Sequence, residues 1–115
     1  MQISFLIVTK NRPEDLRLTL KKLQALIDSS VDEVLVFIDN CKKTEAIVPG
    51  FDWVNWTISN ESLSASPARN VLYKKAKGNI FIGLDDDSHP ISEDFINKVQ
   101  NEFGNNERLG ILAFQ

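Results

Sequence analysis

Short apolar runs alternate with amphipathic stretches along the chain, which has 115 residues. The run ISFLIVT at residues 3–9 is continuously apolar, which is typical of a strand covered on both faces of a parallel sheet. The run WVNWTIS at residues 53–59 alternates well enough to be a strand too. Altogether the apolar pattern predicts five strands, at residues 3–9, 31–39, 53–59, 79–84 and 108–114.

The first amphipathic stretch predicts a helix that begins shortly after the first strand. Its apolar residues recur at steps of four, three and four, which forms one stripe that ends near Asp28. Asn11 is placed to cap this helix, with Glu14 three residues on as in a capping box and Pro13 in the first turn. The stripe consists of Leu16, Leu20, Leu23 and Ile27.

Two further helices are predicted in the second half of the chain. Ser66 and Pro67 have the residue types of a helix cap and first position, and Gly78 is a typical stop. Ser92 is predicted to cap a last helix before the final strand. The segment CKKTEAIVPGF is instead predicted to be a loop or a brief helical turn. The buried face of the helix that starts near Pro67 is predicted to consist of Ala68, Val71, Leu72 and Ala76.

The order of these elements predicts an α/β sandwich with a mainly parallel sheet. In such sheets, ligands bind beyond the carboxyl ends of the strands, where the strand order reverses. These ends are followed by polar residues, at Asn11, Asp39, Ser59 and 85–87. The polar side chains can therefore converge on one edge of the sheet although they are far apart in sequence.

Three consecutive aspartates follow the apolar strand IFIGL. Adjacent side chains of an extended chain point in opposite directions, so that Asp85 and Asp87 share a face while Asp86 turns away from it, toward solvent. Two carboxylates on one side are an open ligand set for Mg²⁺ or Mn²⁺, which keeps several waters and takes further oxygens from a phosphate. The alternative is a solvated acidic turn that caps the next helix through Asp87 or Ser88.

Two more positions are candidates for nucleotide contacts. Asp39 ends the second strand and can accept hydrogen bonds from a ribose hydroxyl or a base, but an Asx-turn with Asn40 is an equally good interpretation. Arg69 lies near the start of a predicted helix, where it can bind a diphosphate or pair with a carboxylate. An exposed arginine on the helix surface is the alternative there.

Other conspicuous side chains favour structural roles. His89 could ligate a metal or contact a phosphate, but it is interpreted as a surface residue before Pro90. Trp53 and Trp56 fall in a strand pattern, which favours packing over a stacking platform. Cys41 has no histidine partner in the sequence and is interpreted as a small loop residue.

Composition and charge limit the class of protein. Residues 1–115 are enough for one domain with a core. A net charge of −3 with scattered lysine pairs argues against nucleic-acid binding. The single cysteine excludes an internal disulfide. The apolar run at the N-terminus is too short for a membrane span or a signal core, so we expect a soluble, cytoplasmic protein with no membrane span in this chain.

Four segments, in their order and spacing, resemble the nucleotide-sugar-binding half of family 2 glycosyltransferases. The segments are ISFLIVTKNRPEDLRLTLKKL, VLVFIDN, SASPARNVLYKKAKGNIFIGLDDDS and SEDFINKV. The most specific part is the ARN helix followed by a glycine, a strand and the acidic triplet. The resemblance covers essentially the whole chain and implies the GT-A fold, a Rossmann-like three-layer sandwich. It also implies transfer of a sugar from a nucleoside diphosphate to an acceptor hydroxyl, with inversion.

The resemblance implies roles for residues of the nucleotide pocket. Thr9 and Asn11 would line the pocket with neighbouring backbone, and Asp39 would contact the base or the ribose. Arg69 would face the diphosphate or the acidic triplet. Many relatives have Asp-Asp or Asp-Asn-Gly-Ser after the second strand, where this chain has Asp-Asn-Cys-Lys at 39–42. The identity of the nucleotide is therefore left open.

The acidic triplet corresponds to the DXD-type motif of the family. Asp85 would lie nearer the ribose and Asp87 nearer the diphosphate, and both would hold the Mn²⁺ or Mg²⁺ ion, with Asp86 in the same donor-binding set. The family's general base lies in a later, acceptor-binding half. The resemblance thus implies that this chain stops before that half, that its base lies beyond Gln115, and that no catalytic residue lies within the chain. For this sequence alone, binding of a nucleotide sugar is therefore expected more than its turnover.

Other classes of protein remain in competition with this interpretation. The alternative is a non-catalytic module that has a GT-A-like half and uses it to recognise a nucleotide or sugar phosphate. A receiver-like phosphoacceptor domain is disfavoured, because its acidic pair should follow the first strand. A sugar nucleotidyltransferase is disfavoured, because its Gly-rich, Arg-containing loop is missing. The acceptor, whether glycan, lipid or protein, is not specified, and an exposed sheet edge could support a homodimer.

Overall fold

Five strands and three helices are seen in the computed structural model, which describes residues 2–27, 31–61, 65–78, 80–86 and 111–113. The strands are β1 (Ile3–Thr9), β2 (Glu33–Asp39), β3 (Asn55–Ser59), β4 (Ile80–Leu84) and β5 (Ile111–Ala113). The helices are α1 (Pro13–Leu26), α2 (Lys42–Glu45) and α3 (Ala65–Lys75), with a 3-10 turn at Val48–Gly50. No helix among these residues is both long enough and apolar enough to cross a membrane.

The strands form one sheet in the order β3-β2-β1-β4-β5, and each neighbouring pair is parallel. Strand β1 lies between β2 and β4, so that Leu6 is paired with Leu35 on one side and with Gly83 on the other. The chain fills one half of the sheet with β2 and β3 before it crosses to β4, so the strand order reverses at β1. The α/β fold with a mainly parallel sheet is therefore confirmed.

Helices cover both faces of the sheet, as the continuous apolar strands require. Alternate residues of β1 and β2 face opposite layers. One layer is a core that contains Leu16, Leu20 and Leu23 of α1 with Ile3, Phe5, Ile7, Val34, Val36, Ile38, Ile80, Ile82 and Leu84. The other layer joins Ala68 and Leu72 of α3 to Leu6, Leu35 and Phe37. The predicted apolar faces of both helices are confirmed.

The start of α1 differs from the prediction. Pro13 occupies the first helical position, so Arg12 is the capping residue and makes no side-chain capping bond. Asn11 lies one position further out, with a left-handed φ of 58°, and the predicted capping box is wrong. The acidic residues Glu14 and Asp15 still lie in the first turn, where the helix dipole favours negative charge.

The other predicted elements are found with shifted ends. Strand β2 begins at Glu33 and β3 at Asn55, each two residues later than predicted, while α3 begins at Ala65, just before the predicted cap. The predicted brief helical turn after β2 is confirmed as α2. The helix predicted to start at Ser92 lies outside the described residues.

A polar network joins the amino ends of β1, β2 and β4. The Ser4 hydroxyl donates to Glu33 Oε2 at 2.6 Å and accepts the Gly78 N–H at 2.8 Å. Asp32 Oδ1 accepts the backbone N–H of Ile3 at 3.0 Å. A side chain at Gly78 would not fit here, because an added Cβ would lie 2.5 Å from Ser4 Oγ and 2.8 Å from Ser4 N.

Candidate functional site

The carboxyl ends of the parallel strands lie at one edge of the sheet, here called the carboxyl edge. Thr9, Asp39 and Ser59 are the last residues of β1, β2 and β3, and Asp85 directly follows β4. The reversal of strand order places the ends of β1 and β4 side by side. In open α/β sheets this is the position where ligands bind.

Asp86 is the centre of a buried polar cluster at the junction of β1 and β4. Thr9 Oγ1 donates to Asp86 Oδ2 at 2.9 Å, and Arg12 Nη1 lies 3.6 Å from Asp86 Oδ1. Thr19, which is fully buried on α1, donates to the Asp86 backbone carbonyl at 2.8 Å. These contacts fix the turn after β4 to the loop between β1 and α1.

The expectation that Asp86 faces solvent is wrong, because this residue is only 8% exposed. That expectation extended strand alternation past Leu84, where β4 ends. Beyond that residue the backbone turns, and the direction of the side chain is set by its partners Thr9 and Arg12. Burial of a carboxylate is tolerable here because a hydroxyl and a guanidinium both face it.

Asp85 differs from Asp86 in being partly exposed. Within the described part of the chain, no hydrogen bond or ion pair engages its carboxylate. The residues present suit a hard divalent cation with few protein ligands, since Mg²⁺ or Mn²⁺ takes its remaining oxygens from water and phosphate. No group of three or more metal-ligating side chains occurs among the described residues. Asp87 and His89 lie outside them, and the pairing of Asp85 with Asp87 stays a prediction.

A second cluster connects the ends of β1 and β2. The Cys41 thiol donates to Asn11 Oδ1 at 3.2 Å and accepts the Thr44 hydroxyl at 3.4 Å. Hydrogen bonds from the Thr44 hydroxyl, the Thr44 N–H and then the N–H groups of Asn11 and Lys43 lower the pKa of the Cys41 thiol to about 7. Cys41 lies in the loop between β2 and α2, as predicted, and it is buried there, where its thiol joins this loop to the loop after β1.

Asp39 is buried at the last position of β2, at 6% exposure, and is paired in register with Ser59. The next residue, Asn40, has a left-handed φ of 49°. Its N–H lies 2.9 Å from the Ser59 carbonyl and 3.2 Å from the carbonyl of Ile38, and these contacts close the end of the strand. The nucleotide contact predicted for Asp39 is compatible with this position and stays a prediction.

Arg69 lies exposed on α3, and among the described residues it forms no ion pair with Asp85 or Asp86. Among the described residues, an arginine does approach Asp86, but it is Arg12, which the sequence interpretation missed. The available signal was its position, since Arg12 comes directly after Asn11 at the end of β1.

The packing role predicted for the two tryptophans is confirmed. Trp53 meets the ring of Phe51 edge to face, with 6.5 Å between ring centroids. The Trp56 indole N–H donates to the Phe51 carbonyl at 2.9 Å, and both indoles pack against the main core. Neither is therefore a free stacking platform.

A comparison of sequences identifies the family. Residues 4–114 match the sequence model of glycosyl transferase family 2. An uncharacterised protein of Haemophilus influenzae is 31% identical over 123 aligned positions, which cover 97% of this chain and 64% of that protein. The chain thus spans a little under two thirds of the length of that relative.

Solved structures share the fold at lower identity. S. aureus TarS 1–349 in complex with UDP-GlcNAc is 22% identical, with a TM-score of 0.78 over 91% of this chain and 32% of that chain. The mannosyltransferase PcManGT from Pyrobaculum calidifontis, in complex with GDP-Man and Mn²⁺, is 16% identical, with a TM-score of 0.79 over 90% of this chain and 32% of that chain. With the family match over residues 4–114, the chain belongs to glycosyl transferase family 2 and has the GT-A fold.

Proposed function

We propose that this chain is the donor-binding domain of a glycosyltransferase that uses a nucleoside-diphosphate sugar and a divalent metal ion. The observation that carries the proposal is the convergence of Thr9, Arg12 and Asp85–Asp86 where the strand order reverses between β1 and β4. The enzyme would transfer the sugar to an acceptor hydroxyl with inversion.

The acidic triplet would hold the metal ion through its outer members. Asp85 is partly exposed at the end of β4 and would act as a ligand together with Asp87. The ion, Mn²⁺ or Mg²⁺, supplies positive charge that stabilises the departing nucleoside diphosphate. Asp86 would not ligate the ion directly, because its carboxylate already contacts Thr9 and Arg12, and it would instead hold the turn that carries Asp85 in place.

The remaining residues would position the donor. Thr9 and Asn11 would line the nucleotide pocket beside the acidic triplet, and Asp39 would receive hydrogen bonds from the base or the ribose. Arg69 would bind the diphosphate. Arg12, whose side chain is 54% exposed, adds positive charge on the same side of the sheet.

The solved relatives support a nucleotide sugar as the donor class. The structure of TarS 1–349 is in complex with UDP-GlcNAc, and that of PcManGT is in complex with GDP-Man and Mn²⁺. Because these are two different nucleotides, the base used by this chain must be measured. We propose that the general base and the acceptor site belong to parts of the enzyme outside residues 1–115. The cytoplasmic location, the homodimer and the chemical class of the acceptor stay predictions.

The test is calorimetric titration of the protein with UDP, GDP, dTDP and CDP, with and without Mn²⁺. We expect one nucleotide to bind in a Mn²⁺-dependent manner, and the Asp85→Asn and Asp87→Asn variants to weaken that binding by about 10-fold or more. Asp52→Asn is the matched control, because Asp52 is exposed and precedes β3 at the opposite edge of the sheet.

The result that would overturn the proposal is that no nucleoside diphosphate binds, or that binding is equal in the Asp85 and Asp52 variants. Incubation of the protein with the sugar donor then tests where the general base lies. Binding without release of the nucleoside diphosphate agrees with a base outside residues 1–115, whereas release by these residues alone would contradict it.

A further inference from the structure

We propose that Cys41 is a positioning residue of the donor pocket, which holds Asn11 in place and so sets the pocket's preference for one base. This inference rests on the proposed function, because it concerns the same pocket. It assigns a task to a buried side chain in the loop between β2 and α2.

The thiol connects two loops at the carboxyl edge. Its donor contact to Asn11 Oδ1 reaches across 30 residues of sequence, from the loop after β2 to the loop after β1. Its acceptor contact to Thr44 ties the same sulfur to α2. At 6% exposure, Cys41 lies inside this junction and not on its surface. Cys41 is also the chain's single cysteine, so no other thiol competes with it in an experiment.

Two residues near the thiol, its hydrogen-bond partner and its predecessor in the sequence, have backbone conformations that cost free energy. Asn11 and Asn40 both have positive φ, at 58° and 49°. Asparagine tolerates the left-handed region better than most residues, but still at a cost relative to extended backbone. A hydrogen bond that fixes the Asn11 side chain offsets part of that cost and selects one conformation of the loop.

Cys41 lies close in sequence to a residue proposed to contact the nucleotide, so its hydrogen bond to Asn11 bears on nucleotide binding. Asp39 lies two residues before Cys41, at the buried end of β2, and is the residue proposed to contact the base or ribose. Asn11 lies two residues after Thr9, on the neighbouring strand end. The thiol therefore sets the distance between the loop after β1 and the loop after β2, which form two walls of the proposed pocket. Loss of the thiol should loosen that spacing and reduce discrimination between bases.

The decisive experiment compares Cys41→Ala with Cys41→Ser in titrations with UDP, GDP, dTDP and CDP in the presence of Mn²⁺, below pH 7, where the thiol keeps the proton that it donates to Asn11. One hydrogen bond corresponds to a change of about 3- to 10-fold in affinity. We expect the alanine variant to bind the preferred nucleotide more weakly by that factor and to discriminate less between bases. The serine variant should retain both properties, because its hydroxyl can also donate to Asn11 and accept from Thr44.

A control variant and a measurement on the unaltered protein complete the design. Thr57→Val, on the edge strand β3, removes the hydroxyl that accepts a hydrogen bond from Lys75 Nζ and should leave nucleotide preference unchanged. In the unaltered protein, alkylation of Cys41 by iodoacetamide, followed by mass spectrometry, should be slowed by saturating nucleotide and Mn²⁺. This arm does not depend on the folding of any variant.

The outcomes separate this inference from the function on which it rests. If the unaltered protein binds no nucleoside diphosphate, both proposals fail. If it binds one, but Cys41→Ala has the same affinity and base preference, only the positioning role fails. The same conclusion follows if serine loses as much affinity as alanine, or if nucleotide leaves the rate of alkylation unchanged.

Discussion

The two edges of the sheet use their polar residues in different ways. At the amino edge, where the strands begin, the Gly78 N–H donates to the Ser4 hydroxyl, which in turn donates to Glu33, and the Lys77 N–H also donates to Glu33. At the carboxyl edge, Asp86 is engaged in a similar manner, but the neighbouring Asp85 is partly exposed and has no partner among the described residues. The difference teaches that the polar groups of one edge stabilise the fold, while the other edge combines a fixed support with a carboxylate that the proposed function assigns to a metal ion.

The largest effect on stability is expected at the amino edge, from Gly78→Ala. The added Cβ would meet Ser4 Oγ at 2.5 Å and Ser4 N at 2.8 Å, so the network has to move apart. Overpacking of this kind costs up to about 3 kcal/mol of unfolding free energy. Urea unfolding measures the loss, and nucleotide affinity of the folded protein should stay the same.

Gly50→Ala is the matched control for this substitution, because no atom lies within 4 Å of a Cβ built at Gly50. We expect its stability to change little. If both alanine variants unfold at the same urea concentration, crowding at the amino edge is not what makes Gly78 necessary.

The next effect is expected at the carboxyl edge, from Thr9→Val and Asp86→Ala. Each variant leaves a buried polar partner without its hydrogen bond, and a double-mutant cycle should give a coupling of about 1 kcal/mol. In contrast to Gly78→Ala, both variants should also weaken Mn²⁺-dependent nucleotide binding. Additive losses of stability would contradict the proposed support, and unchanged affinity would remove the contrast between the edges.

A smaller effect is expected from pH, through Cys41. Its pKa is lowered to about 7 in the folded protein by hydrogen bonds from Thr44, against an ordinary value of 9.0. Between these values the unfolded chain binds more protons than the folded one, so the unfolding free energy should rise with pH from about 7 to about 9. Below about pH 7 both states carry the thiol, and this contribution is absent.

The measurement is urea unfolding across that range of pH for the unaltered protein and for Cys41→Ser, whose hydroxyl does not titrate. The difference in stability between the two should increase with pH above about 7 and stay constant below it. A constant difference over the whole range would show that the folded thiol is not stabilised as a thiolate.

The smallest effect is expected from a pair that belongs to neither edge, Glu14 and Arg17 on the surface of α1. Their contact lowers the pKa of Glu14, chiefly through the hydrogen bond from Arg17. Any stability it adds would be lost as the pH falls through that lowered pKa. Water and salt screen an exposed pair, so Glu14→Gln should not change urea unfolding measurably at physiological salt. A clear loss of unfolding free energy in Glu14→Gln would contradict this expectation, because it would show that an exposed pair on α1 stabilises the fold.

The strands, the helical faces and the choice of edge could be predicted because they depend on local patterns. The run at 3–9 predicts a buried strand by its composition, and the leucine spacing after Pro13 predicts which face of α1 is buried. General rules for parallel sheets then bring Thr9, Asp39 and Asp85 to the same edge.

The partners at that edge could not be predicted from the sequence. Thr9 and Asp86 are 77 residues apart, and their contact depends on β4 lying beside β1. Strand alternation also gives no direction for Asp86, because the strand has ended by that point. The contact of Cys41 with Asn11 was missed for the same reason, since Asn11 follows another strand end.

The central place of β1 in the sheet has a consequence for the order in which contacts form during synthesis. Cys41 leaves the ribosome 30 residues after its partner Asn11, whereas Asp86 leaves it 77 residues after its partner Thr9. Contacts of long sequence separation form late, because the chain between them must close into a loop. We therefore expect the contacts between the ends of β1 and β2 to form while the residues of β4 are still being translated. During that interval the exposed flank of β1 is an unpaired strand edge on the nascent chain, open to chaperones and to mispairing.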